Sequence, residues 1–246
     1  MTAAVSSRCS NTDLPIWAVI PARGGSKRLP RKNAMPFADG DSLTVRTIRK
    51  AVESNCFSRV LLSTDDSQIA ADGKAAGALV PFIRPADLSG DQASSLDVLL
   101  HAITELKKLF KEENPGVVAL LQVTSPLLSV RHIAAAVETF LAGGFNSLSS
   151  MVAVEQYPEW MFRVNENHHA TPESNAGIIC PTDQIPVRYI ENGAIYLVRY
   201  EWLAEHRSLY DFARHGCYAM SAEESVDIDT RSDWEYAEFL LRRRQA

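Results

Sequence analysis

A three-layer α/β fold, a mostly parallel sheet with helices on both faces, is predicted by three observations. Short apolar runs alternate with helical stripes from residue 16 to residue 154, the pattern of repeated strand–helix–strand crossovers. The run at 117–122 is apolar almost throughout, as a strand buried on both sides of a parallel sheet must be. The chain has 246 residues, 46% hydrophobic and 22% charged, enough for one such unit with a sizeable core.

Residues 1–15 read as a flexible polar N-terminal extension without the apolar core of a signal peptide. Residues 16–246 read as a single domain. Its first strand, at 17–20, opens into Pro21-Ala22-Arg23-Gly24-Gly25-Ser26-Lys27-Arg28-Leu29-Pro30-Arg31-Lys32-Asn33. Pro21 ends ladder donation, and Gly24-Gly25 let the backbone turn where side chains would block it. Arg23, Lys27, Arg28, Arg31 and Lys32 crowd positive charge into this loop, which suits polyanionic phosphates. It has neither the Gly-Lys-Ser/Thr of a P-loop nor a Gly-x-Gly-x-x-Gly. An exposed basic turn is the plainer reading of the same spacing.

Next comes a helix over 42–55, capped by Asp41 or Ser42, and a strand over 59–64. Asp65-Asp66 then read as a turn and helix start rather than a metal pair, and Gly77 suits that helix's end. A strand is expected at 79–83, and a loop over 84–91 from its Pro, Gly and Asp content. Leu96, Leu99, Leu100, Ile103, Leu106 and Phe110 form the stripe of a long helix opened by Ser94 or Ser95. His101 beside the stripe reads as a packing or surface residue. After the central strand, a helix spans 130–141, Gly143-Gly144 break it, and 147–154 is another strand. Residues 155–186 show no sustained periodicity. A stretch of that length without elements usually carries function or an interface, and His168-His169 lack the spacing for joint metal binding. A strand at 192–198, a short helix at 202–206, an extended piece at 217–220 and a helix over 232–242 complete the chain. No internal repeat is visible.

Between the last two elements lies Ser225-Val226-Asp227-Ile228-Asp229-Thr230. In an extended segment Asp227 and Asp229 share one face, with Cα atoms roughly 6.5–7 Å apart. Two such carboxylates suit hydrated Mg2+ on nucleotide phosphates, which needs only one or two protein oxygens. The plainer reading makes one of them the cap of the last helix, a task Thr230 or Ser232 can also perform. Ligands of parallel α/β sheets gather at the carboxyl ends of strands, and the loops near Arg23, Arg84, Gln122 and Asn192 all lie at or beside such ends.

A formal net charge of −5 speaks against general nucleic-acid binding. No segment reaches membrane-spanning length. Cys9, Cys56, Cys180 and Cys217 are far apart in sequence and form no CxxC pair, which argues for reduced thiols in a cytoplasmic setting and against a zinc site.

From residue 17 to residue 240 the chain resembles the acylneuraminate cytidylyltransferases, the CMP-nonulosonic acid synthetases of the sialic, legionaminic and pseudaminic acid type. The resemblance rests on separated signatures in order: the basic loop; Ser63-Thr64-Asp65; Arg84-Pro85-Ala86-Asp87-Leu88 with Asp91-Gln92-Ala93-Ser94-Ser95; Leu121-Gln122-Val123-Thr124-Ser125-Pro126-Leu127; and Asn192-Gly193-Ala194-Ile195-Tyr196 followed by Asp227-Ile228-Asp229-Thr230. It implies a nucleotide-diphospho-sugar transferase-like (Rossmann-like) fold, a homodimer, and Mg2+ (or Mn2+ in its place) as cofactor. It implies that Arg23, Gly24, Ser26 and Lys27 cradle the CTP phosphates, with Lys32 against the α-phosphate or the leaving pyrophosphate. Asn33, Arg84 and Ser95 would read cytosine and ribose, Gln122 and Tyr196 would hold a nine-carbon sugar acid, and Asp227 and Asp229 the metal. Arg23, Lys27, Lys32 and Asp229 are thus the catalytic set. Residues 155–190 would dimerise and cap the substrate, and the product would feed lipopolysaccharide or capsule synthesis.

Two departures stand out. Many sialic-acid enzymes have Gly-Ile/Leu-Pro-Gly-Lys-Asn where this chain reads Arg28-Leu29-Pro30-Arg31-Lys32-Asn33, closer to the members that activate diamino sugars, while Asn192-Gly193-Ala194-Ile195-Tyr196 is closer to the sialic and legionaminic branch. Thr182 stands where an Arg often meets the sugar carboxylate, and Arg188 is the candidate replacement. The implied reaction passes the cytidylyl group of CTP to the anomeric hydroxyl, without a covalent nucleophile. The rivals are a cytidylyltransferase for another 3-deoxy-ulosonic acid, such as an octulosonic acid, and a catalytically silent nucleotide-binding module.

Overall fold

The computed structural model describes residues 14–38, 40–173 and 186–245; the extension at 1–13 and Thr182 lie outside them. Six strands form one twisted sheet in the order β2-β1-β3-β7-β4-β8. They are β1 (Ile16–Pro21), β2 (Arg59–Ser63), β3 (Val117–Leu121), β4 (Ser147–Ala153), β7 (Tyr189–Arg199) and β8 (His215–Met220). All pairings are parallel except those of β7, which runs antiparallel to both β3 and β4. The fold class expected from the alternation is the one observed.

Strand alternation sorts the core into two layers. Ala18, Ile20, Val60, Leu62, Ala119, Leu121 and Leu197 face one side. There they meet helices α1 (Leu43–Glu53), α2 (Ser67–Ala75), α4 (Val130–Ala142) and α6 (Arg231–Gln245), through Ile48, Ile69, Phe140 and Trp234. Trp17, Val19, Leu61, Val118, Leu120 and Val198 face the other. They are covered by α3 (Ser95–Leu109) and α5 (Tyr200–His206), through Leu99, Ile103, Leu106 and Leu203. Trp17 is fully buried, and a core Trp of this kind anchors more apolar area than any other residue type.

Helix starts follow the cap chemistry. Ser42, rather than Asp41, caps α1 by accepting from Val45 N–H at 3.2 Å. Asp66 caps α2, and Ser94 caps α3. Thr230 and Asp233 form the reciprocal cap of α6, so neither Asp227 nor Asp229 is used for capping. His101 packs its ring edge-on against Phe82.

Two expectations are corrected. Residues 79–83 do not form a strand: Leu79 makes one isolated parallel bridge to Leu61, and Pro81 two residues later has no N–H to continue a ladder. The stretch at 155–186 is not wholly irregular. It holds an antiparallel hairpin of β5 (Phe162–Val164) and β6 (Ala170–Pro172), whose turn places His168 at φ +59. Short strands without a buried face leave no period to read. Cys56 is buried, and Cys9 and Cys180 lie outside the described residues. Cys217 is free, and among the described residues no helix is long and apolar enough to cross a membrane.

Candidate active site

The basic loop leaves β1 tied to its neighbour, with Ala22 N–H donating to Ser63 O at 3.0 Å. Gly24 N–H donates to Asp65 Oδ1 at 2.9 Å. A Cβ at Gly24 would lie 2.7 Å from Asp66 Oδ2 and 2.8 Å from Asp66 Cβ, so glycine is required there by close approach. Gly25 has open space around the same position; of the expected pair, only Gly24 is constrained. Arg31 adopts φ +56, a left-handed conformation that disfavours side chains. It occupies the place of the second Gly in the sialic-acid pattern, which accounts for a glycine being used there.

A cleft of about 440 Å³ opens at the carboxyl ends of β1 and β3. Arg23, Ser26, Lys27, Lys32, Asn33, Arg84, Ser95, Gln122 and Asp229 all line it. Nine side chains predicted from four separate stretches thus converge. Asn33 is fixed by its Nδ2 donating to Arg23 O at 2.9 Å and by Thr44 Oγ1 donating to Asn33 O at 2.8 Å. Its Oδ1 is buried and finds no partner among the described residues. A buried acceptor left open in a cleft wall is suited to a ligand's donor. Arg84 is anchored by its N–H to Thr64 O at 2.7 Å. Burial lowers its guanidinium's pKa, opposed by nearby Asp65.

The cations of the cleft are matched by carboxylates. Asp91 Oδ1 takes Arg23 at 2.7 Å and Asp91 Oδ2 takes Lys27 at 2.5 Å; these hydrogen bonds hold its carboxyl below the usual range, Lys27 contributing most. Asp229 takes Lys32 at 3.1 Å on Oδ1 and Arg28 at 2.9 Å on Oδ2. Lys32 also donates to Ile228 O at 2.5 Å, and Arg31 lies 3.5 Å from Asp66 Oδ2. Asp91 and Thr124 were given no role from the sequence, and Arg28 only a share in the loop's positive charge. Asp91 sits within a recognised signature, and its charge opposite a basic loop was the available signal.

The segment at 226–229 is extended but belongs to no strand. Ile228, fully buried, points into the core and its N–H donates to Thr124 O at 2.8 Å. Asp227 and Asp229 accordingly share the opposite side, as alternation requires. Asp229 lines the cleft; Asp227 stands beside it, hydrogen-bonded by Thr124. Asp227 is open to solvent on one side, yet surrounding protein strips enough hydration to push its carboxyl pKa up, with Asp229 adding to the rise. Two acids whose charges oppose each other fit a divalent cation. Among the described residues no cluster of three or more metal-type side chains exists, so such an ion would keep mostly water and phosphate oxygens.

Tyr196 lies opposite Leu120 in the β3–β7 register, on the sheet face and two positions from Gln122, whose N–H donates to Ala194 O at 3.2 Å. Its hydroxyl lies 3.5 Å from Glu191 Oε2, to which Tyr210 donates at 2.9 Å. Burial first, then Glu191 and Asp227, push the Tyr196 phenol up to about 12. Tyr196 therefore offers a proton donor at any ordinary pH. Asn192 is structural: its Oδ1 accepts from Ser150 Oγ at 2.6 Å and its Nδ2 donates to Ser225 Oγ at 2.8 Å. Gly193, at φ +77, makes the irregularity that lets β7 keep pairing with β4 beyond it. Arg188 is not brought to the cleft: it binds Glu159 Oε2 at 2.5 Å, at the base of the segment after β4.

A family model described as cytidylyltransferase matches residues 17–245. The chain is 35% identical to the CMP-N,N'-diacetyllegionaminic acid synthase of Legionella pneumophila, over 94% of this chain and 97% of that protein. It is 32% identical to a pseudaminic acid cytidylyltransferase of Campylobacter jejuni, over 91% and 95%. It is 36% identical to the N-acylneuraminate cytidylyltransferase A of Danio rerio, over 91% of this chain but 50% of that one. Among solved structures, a CMP:2-keto-3-deoxy-manno-octonic acid synthetase complexed with CTP superposes at TM-score 0.66, covering 94% of this chain and 99% of that chain at 17% identity. The last similarity is one of fold.

Proposed function

The chain belongs to the cytidylyltransferase family, and on that premise we propose that it transfers the cytidylyl group of CTP to the anomeric hydroxyl of a nonulosonic acid, releasing pyrophosphate. The observation that carries the reading is the convergence of Arg23, Lys27, Lys32, Arg84 and Asp229 on one cleft at the carboxyl ends of the strands.

In this mechanism Arg23, Ser26 and Lys27 take the triphosphate in place of Asp91, and Asn33 Oδ1, Arg84 and Ser95 receive the nucleoside. The anomeric oxygen forms a bond to the α-phosphorus as the bond from that phosphorus to the bridging oxygen breaks; the hydroxyl proton passes to solvent water and pyrophosphate carries away the electron pair. Negative charge builds on the departing oxygens, and the cleft's cations lie in its wall to stabilise it, the usual dominant contribution in phosphoryl chemistry. Lys32, held under Asp229, is the cation for the α-phosphate. Asp227 and Asp229 would hold Mg2+, which when bound neutralises phosphate charge and aligns the triphosphate. Gln122 and Tyr196 orient the sugar acid so that its hydroxyl is in line.

Pyrophosphate release from CTP and Mg2+ is the test, across N-acetylneuraminic, legionaminic, pseudaminic and a 3-deoxy-octulosonic acid. Release with a nine-carbon acid is expected. Turnover with the octulosonic acid alone would overturn the substrate class, and CTP binding without turnover on any acid would overturn the enzyme reading.

The same reading includes a homodimer. Met161, Phe162 and Val164 of the β5–β6 hairpin, with Val187, Tyr189 and Ile190 at the start of β7, are all exposed. Apolar side chains gathered on one excursion are a surface that protein covers. Sedimentation should give a dimer that Phe162→Asp with Ile190→Asp converts to monomer; a wild-type monomer at micromolar concentration would refute it.

A further inference from the structure

We propose that His132 and Glu224 form a positioning pair that clamps the segment bearing Asp227 and Asp229 onto the β3–α4 connection, and so sets how tightly those aspartates hold the divalent cation. The proposal rests on the metal reading given above for the two aspartates.

His132 is the third residue of α4, and its side chain is 2% exposed. Ser129 and His132 cap the helix reciprocally: Ser129 Oγ accepts from His132 N–H at 3.3 Å, and His132 Nδ1 accepts from Ser129 N–H at 3.2 Å. With Nδ1 committed as acceptor, the ring proton resides on Nε2. That atom lies 3.1 Å from Glu224 Oε1. The capping box thus does more than begin a helix. It orients a buried donor outward at a carboxylate three residues before Asp227.

Glu224 is held from its own side as well. Its Oε2 accepts from Ser221 Oγ at 2.8 Å, and Arg244 of α6 stands 3.7 Å from Oε1. Beyond it, Ser225 accepts from Asn192 and Ile228 N–H donates to Thr124 O. Residues 226–229 belong to no strand, so these contacts do the work a ladder would otherwise do. Thr124 lies in the connection between β3 and α4, and His132 in the first turn of the helix which that connection leads into. Thr124 fixes the segment at Asp227 and Ile228, and His132 fixes its upstream end. Removing the second point loosens the upstream end of the segment, which then depends on the Asn192–Ser225 hydrogen bond and on the contacts of Ile228 and Asp229 further along. Partners that orient metal-binding carboxylates in this way influence affinity almost as strongly as the ligands do.

The test uses the full-length protein with CTP and no sugar acid, so that nothing turns over, and Mn2+ as a paramagnetic probe read by loss of the free-ion signal. Glu224→Ala should weaken Mn2+ binding about tenfold, while CTP binding in chelator stays within about twofold of wild type, since no cleft-lining residue is altered. Glu224→Gln, whose amide oxygen still accepts from Nε2–H, should restore Mn2+ affinity to within about twofold. Unchanged Mn2+ binding in Glu224→Ala, or a Glu224→Gln as weak as the alanine variant, would overturn the proposal. Should Glu224→Ala not fold, Ser221→Ala removes an exposed support of the same carboxylate and should weaken Mn2+ two- to threefold, roughly a lost surface hydrogen bond; no change would overturn it equally. Asp229→Asn separates the two claims. Wild-type Mn2+ binding in that variant sinks the metal reading itself, whereas weakened binding there with an unaffected Glu224→Ala sinks only the positioning pair.

Discussion

Asp91 pairs with Arg23 and Lys27, and on the proposed reading it is the residue a triphosphate has to displace. Because the pair is solvent-reached, the competition is modest. Asp91→Asn should therefore lower the half-saturating CTP concentration by about two- to fivefold, with binding calorimetry as the check; a weaker affinity would make Asp91 a nucleotide ligand instead. Asp229 acts in the opposite sense, and Asp229→Asn should lower turnover about a hundredfold or more at saturating substrates. Near-normal turnover in high Mg2+ would refute its role. Most of the cleft was legible at this scale, since side chains such as Asn33, Arg84 and Gln122 sit in recognisable signatures at strand ends. The partners of Asp91, Arg28 and Thr124 were not, because they lie 64 and 68, 201, and 103–104 positions away and sequence carries no distance. Gly24 was legible, though for a different reason: the constraint is the Asp66 side chain behind it, not the turn.

At the scale of elements, the order of strands and helices followed from period and caps, while β7 needed the structure. Alternation and length are the same for a parallel and an antiparallel strand, so nothing in the residues of β7 declares its direction. Leu79 shows the reverse case, an apolar run with β character that makes a single bridge because a proline follows. The role of Asn192 also belongs here. It links the irregular part of β7 to Ser150 of β4 and to Ser225, a brace between the sheet and the aspartate segment. Asn192→Ala would leave Ser150 and the segment without these partners, at a cost of about 1–3 kcal/mol. Thermal unfolding should show the loss, and a melting temperature within a degree of wild type would refute the brace.

For the molecule as a whole, acid sensitivity follows from two imidazoles. Burial holds His132 and His215 below the ordinary histidine value, against the pull of Glu224 on the first and of Glu191 and Asp211 on the second. Between that ordinary value, about 6.5, and the lower folded-state values, the unfolded chain binds more protons than the folded one. Stability is then fully present above about pH 6.5 and is lost as pH falls below it. The melting temperature should drop between pH 7.5 and pH 5.5, and His215→Gln should shrink that drop; an unchanged difference would show that other groups govern it. The base of the excursion after β4 has a consequence of another kind. Val154 N–H donates to Arg188 O at 2.9 Å, so the sheet closes beneath everything between them. Doubling the length of what lies beyond such a closure costs only about 0.6 kcal/mol in loop entropy. The length of that excursion can therefore change at little cost to the strands that carry the cleft.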